Sequence, residues 1–148
     1  MSIIIDRPPN FEKILAAFPN ADKPGVMFAY DGAIYNPSSV VIPPALLAHE
    51  QVHIERQRAL DPPKKSTTKW SGADLWWQRY IDDSEFRYNE ELLAHAAEYR
   101  AQAVGDRNFC AGLLVRTAAR LTATLYNYVP PVALQKALKD LKREIDKT

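Results

Sequence analysis

Apolar positions along the chain change their period several times, and those changes divide it into elements. Pro8-Pro9 and Pro19-Asn20 bracket Phe11 to Phe18, a short helix that Asn10 is placed to cap. The β-favouring runs Val26 to Tyr30 and Ala33 to Tyr35 flank Asp31-Gly32, a dipeptide suited to a type I′ hairpin turn. A third short run, Val40-Val41-Ile42, meets Pro43-Pro44, where a helix starts and continues to about Leu60. Pro62, Pro63, Gly72 and a Ser/Thr cluster make residues 61–72 a loop, followed by a helix over Ala73 to Tyr80. Asp82 with Glu85 three positions on predicts the start of a long helix running to about Val104 and ended by Gly105. Asp106 caps the next helix, predicted to reach Asn127 on the stripe Leu114, Ala118, Leu121 and Leu125. After Pro130-Pro131 comes a last amphipathic helix, whose stripe of Leu134, Leu138, Leu141 and Ile145 suits docking on the chain's own core or on a second subunit. The pattern predicts a mostly helical α+β fold with a short hairpin.

Composition narrows the class. The 148 residues suit a single domain spanning 1–148, because two would each approach the lower limit for burying a core. Lys and Arg total 19 against 18 Asp and Glu, a balance without the basic excess of a nucleic-acid binder. No nucleic-acid partner is expected, and Lys64, Lys65 and Lys69 read as solvated loop charges. No apolar stretch reaches the length of a membrane span, so no membrane partner is expected either. Three isoleucines followed by Asp6 and Arg7 fall short of a secretory signal. The single cysteine, Cys110, excludes an intramolecular disulfide framework.

The chemistry sits in the helix predicted to start at Pro44. His49-Glu50-Gln51-Val52-His53 is an H-E-x-x-H motif, and it falls on a run read as helical for independent reasons. In a chain with three histidines, its chance occurrence is on the order of 0.3%. One helical turn separates His49 from His53, so both imidazoles can reach one ion, with Glu50 beside them as a general base for a water. A catalytic zinc usually takes three protein ligands. The longer H-E-x-x-H-x-x-G-x-x-H pattern is excluded, because Arg56 and Ala59 stand where it needs glycine and histidine. The third ligand is therefore expected on the long helix: Glu91 first, with Glu90, Glu98 and His95 as alternatives. His95, one turn from Glu91, could instead orient a ligand by hydrogen bonding.

Tyr126, Tyr99 and Arg87 are candidate donors to a developing oxyanion. The hairpin edge near Phe28 to Tyr35 could pair with an extended peptide. Trp70, Trp76, Trp77 and Tyr80 read mainly as core, and otherwise as a contact surface.

Tyr35-Asn36-Pro37, the H-E-x-x-H, Trp77 to Tyr80, Phe86-Arg87, Glu91 to His95 and Leu121 to Tyr126 follow one another over roughly residues 26–127. In that order the chain resembles small phage-encoded metallopeptidases of the gluzincin type. The resemblance implies a minimal zincin-like fold, with a small sheet packed on the active-site helix and a helical C-terminal part. It implies His49, His53 and Glu91 as ligands of one Zn2+ per chain, Glu50 as the base, and a peptide or protein as substrate. His95 stands where better-known gluzincins often carry an acidic or amide residue. The setting implied is the cytoplasm of an infected bacterial host or the virion itself. The alternatives are a phage structural or assembly protein with phage structural partners, or a peptidoglycan-cleaving zinc enzyme.

Overall fold

A computed structural model describes residues 1–147. In chain order the elements are β1 (Ser2–Ile4), α1 (Phe11–Ala17), β2 (Phe28–Tyr30), β3 (Ala33–Tyr35), α2 (Pro44–Arg58), α3 (Gly72–Asp82), α4 (Ser84–Gln102), α5 (Arg107–Leu121) and α6 (Leu134–Asp146), with 3-10 turns at Pro19–Asp22 and Thr124–Tyr126. The fold is mostly helical α+β, as the pattern predicts. Among the described residues no helix is long and apolar enough to cross a membrane.

The hairpin forms because Asp31 and Gly32 both adopt positive φ, 48° and 82°, which a type I′ turn requires. The strand order is β1-β3-β2, with β3 antiparallel to β2 and parallel to β1. The third strand is thus the N-terminal Ser2–Ile4, not the expected Val40-Val41-Ile42. That run is irregular, with Val41 90% exposed, since β1 holds the place beside β3. Met27, Ala29 and Ile34 pack against Ile54 and so seat the sheet on α2.

Helix α2 begins at Pro44, whose missing N–H is no loss in the first turn, and ends with Arg56 and Arg58 near the negative end of its dipole. Helix α3 starts hard against the end of α2. A Cβ at Gly72 would lie 2.1 Å from the Gln57 carbonyl oxygen, so only glycine fits this crossing. Ser71 and Asp74 form a reciprocal capping box there. The helix runs to Asp82, so the cap of α4 falls to Asp83, which accepts from the Phe86 N–H at 3.0 Å, instead of to Asp82. Asn10 occupies the N-cap position of α1 without making a side-chain cap bond.

Phe11, Ile14, Phe18, Phe28, Trp76, Trp77 and Tyr80 form an aromatic core joining α1, β2 and α3. Trp76, Trp77 and Tyr80 are therefore core residues, while Trp70 is half exposed and the three lysines of its loop lie on the surface. A second core joins α4, α5 and α6 through Tyr88, Ala96, Ala118, Leu121, Ala137 and Leu141. The last helix accordingly docks on its own chain. Helix α5 stops at Leu121, six residues before the predicted end at Asn127. The cause is Arg87: its buried guanidinium donates to the carbonyls of Tyr126 and Asn127 and of Tyr80 and Ile81, holding the chain in a turn. Leu125 then packs against the aromatic core instead of continuing the α5 stripe.

Candidate metal centre

Helices α2 and α4 make the most extensive contact between any two elements, and the faces they bury are largely polar. From α2 come His49, Glu50, His53 and Gln57, spaced one turn apart apart from the Glu50 neighbour. From α4 come Glu90, Glu91, His95 and Glu98. Burying groups of this kind is costly unless each finds a partner.

Glu91 lies at the middle. Its Oε2 is 3.3 Å from His49 Nε2 and its Oε1 is 3.3 Å from His53 Nε2, so one carboxylate faces both histidines of the motif. The Tyr80 hydroxyl donates to Glu91 Oε1 at 2.5 Å. His49 turns its other nitrogen, Nδ1, to Glu98 Oε2 at 3.2 Å. Glu98 Oε1 in turn accepts from Arg120 Nε at 3.0 Å and pairs with its Nη2 at 2.8 Å. His95 packs its ring 4.6 Å from that of His49 and directs Nδ1 to the Glu91 backbone oxygen at 2.8 Å. The contact between His95 Nδ1 and Glu91 Oε2 is longer, 3.6 Å.

The charges follow from this packing. Burial alone would lower the pKa of His49, but carboxylates at both ring nitrogens lift it to about 10. Glu91 moves the opposite way: burial opposes its charge, yet His53 and His49 hold its carboxyl well below the ordinary range. Burial, reinforced by His49, takes His95 down to about 4. Burial raises Glu50, and the neighbouring His49 and His53 only partly offset it.

These residues line one end of a cavity of about 270 Å³, whose other walls include Ile14, Phe18, Met27 and Leu125. Glu50 faces it together with His49, His53 and Glu91. Two buried atoms there, Glu91 Oε2 and His53 Nδ1, have no hydrogen-bond partner among the described residues. An unsatisfied carboxylate oxygen amid imidazole nitrogens is what a cation would complete. His49, Glu91 and His95 each offer a ligand atom within 4.8 Å of the others, and this buried group could hold a metal ion.

Comparison with family models, curated proteins and solved structures finds no match. The site therefore rests on its own geometry.

Each residue singled out in the sequence has a definite place. His49, His53 and Glu91 converge, and Glu50 stands beside them. Glu90 points elsewhere: its oxygens accept from Arg56 at 2.9 to 3.2 Å and from the Trp76 indole at 2.9 Å, so it ties α2 and α3 to α4. Arg87 spends its donors on backbone carbonyls and has none aimed at a substrate. Tyr99 lies beside Cys110 and does not line the cavity, whereas Tyr126 does, with its ring 5.8 Å from that of His95. The expected peptide pairing at the hairpin edge is closed at Ala29, whose carbonyl accepts from Gln57 at 2.8 Å and from the Trp77 indole at 2.9 Å. The contacts of Tyr80 and Arg120 carry no local sequence signal, because each partner lies on a different helix.

Proposed function

We propose that the chain is a zinc-dependent peptidase that uses His49, His53 and Glu91 as ligands and Glu50 as general base. The observation that carries this reading is the convergence of both motif histidines, through Nε2, on the two oxygens of one carboxylate from another helix. Two imidazoles and a carboxylate suit zinc, and three protein ligands leave a position open for chemistry. His95 is the alternative ligand: its Nδ1 is engaged by the Glu91 carbonyl, which leaves Nε2 to bind, and it groups with His49 and Glu91 within 4.8 Å. When bound, zinc lowers the pKa of a water toward about 7 and polarises a substrate carbonyl.

The chain's own residues would supply the rest. Glu50, buried and raised in pKa, sits on the cavity where it can accept a proton from the attacking water and return it to the leaving amine. The apolar walls would exclude bulk water and seat a peptide side chain. Tyr80 restrains Glu91, keeping the ligand carboxylate in one rotamer.

Glu50→Gln tests the assignment. The variant should keep its zinc and lose peptide hydrolysis by about 10²-fold to 10⁴-fold, measured on a fluorogenic peptide library that the parent cleaves. Full activity in the variant would rule out Glu50 as the base.

A further inference from the structure

We propose that Glu98, anchored by Arg120 of α5, is a positioning residue that holds His49 in the tautomer and orientation needed to bind the ion. The inference rests on the metal-centre reading and adds to it the device that keeps one ligand in register. An imidazole binds a metal through an unprotonated nitrogen, so the other nitrogen must carry the proton and find an acceptor. For His49 the nitrogen facing Glu91 is Nε2, which leaves Nδ1 to donate. The acceptor at Nδ1 is Glu98 Oε2, 3.2 Å away.

Glu98 is itself held. Arg120 holds its other oxygen, Oε1, with a hydrogen bond from Nε at 3.0 Å and an ion-pair contact from Nη2 at 2.8 Å, which restrains the carboxylate. The Arg120 guanidinium also reaches Thr117 Oγ1 at 3.4 Å, and that hydroxyl donates to the Leu113 carbonyl at 2.8 Å. A chain of polar contacts thus runs from the backbone of α5 through Arg120 and Glu98 to His49 on α2. No such support exists for His53, whose Nδ1 is buried without a partner among the described residues. The two motif histidines are therefore unequal: His49 is oriented by a carboxylate, and His53 by packing against Trp76, 5.0 Å between rings.

Glu98 could alternatively bind the ion itself, since its Oε2 also lies 3.8 Å from His95 Nε2. Zinc affinity by competition with a chromophoric chelator, the absorption spectrum of the cobalt-substituted protein and side-chain 15N NMR of His49 separate the two roles. Glu98→Gln should retain one zinc per chain, with affinity about tenfold or more weaker and an unchanged cobalt coordination number. In the zinc-loaded protein its His49 Nδ1–H signal should shift and exchange with solvent faster than in the parent, a readout that a merely structural role would not move. Arg120→Ala should weaken affinity less, Arg120→Lys should restore most of it, and Glu98→Gln with Arg120→Ala should be no weaker than Glu98→Gln alone. Unchanged affinity and unchanged His49 signals in folded Glu98→Gln would overturn the proposal while leaving the metal centre intact. Loss of a ligand in the cobalt spectrum would overturn it by making Glu98 a ligand. A parent that binds no zinc would overturn the metal centre and this inference together.

Discussion

On one side of α4, Tyr88 and Ala96 meet Ala118 and Leu121 of α5 and Ala137 and Leu141 of α6; on the other, Glu91, His95 and Glu98 meet His49 and His53 of α2. Both faces are buried, yet their energetics differ in sign. The first removes apolar surface from water, at about 25 cal/mol per Å², and is stabilising without further conditions. The second removes charges from water, and mutual attraction offsets that cost only where the geometry is good. Glu91 Oε2 lacks even a hydrogen bond. A helix interface that buries three histidines with three carboxylates and leaves one carboxylate oxygen without a hydrogen bond has the composition of a functional site.

That contrast can be tested from its strongest effect downward. Leu141 is fully buried in the apolar seam, so Leu141→Ala should cost about 2 to 5 kcal/mol in denaturant unfolding while leaving zinc binding in the folded fraction unchanged. A parallel loss of zinc affinity would show that the two seams are not separable. Replacing the polar set as a unit, with His49→Leu, His53→Leu, Glu91→Met and Tyr80→Phe together, should leave the metal-free protein as stable as the parent or up to about 4 kcal/mol more stable. A large destabilisation would mean that the polar seam is structural after all.

A third effect is a pH slope in the metal-free protein. The folded-state pKa of His49 is about 10, above its ordinary 6.5, so its contribution is fully present below pH 6.5 and is lost as pH rises through 10. Between pH 7 and 10, in the presence of chelator, the Tm of the parent should fall more steeply than that of His49→Leu. Equal slopes would contradict the pairing of His49 with Glu91 and Glu98.

How much of this was legible in the chain depended on distance along it. The hairpin, the span of α2 and the placing of His49 and His53 on one face follow from turn chemistry and helical spacing, which are local rules, whereas Glu91 stood in the sequence beside Glu90, Glu98 and His95 as one of several candidates on α4. The polar buried face of α2 is the reverse of the usual amphipathic signal, and only the H-E-x-x-H spacing marks it. Features set by tertiary contacts were not legible. The N-terminal strand needs β3 to define it, and Ser2–Ile4 is too short to announce itself. Leu125 extends the stripe of α5 in sequence, but Arg87, nearly forty residues earlier, captures the carbonyls just beyond it. Glu98 looks like one of several acidic positions on α4 until Arg120 and His49 close on it from two other helices.

The central claim is that the α2–α4 seam is a metal centre, and the most direct measurement is metal content by elemental mass spectrometry after extensive dialysis at neutral pH. The account predicts about one zinc per parent chain and none in His53→Ala. No metal in the parent, even after zinc has been offered, would contradict it.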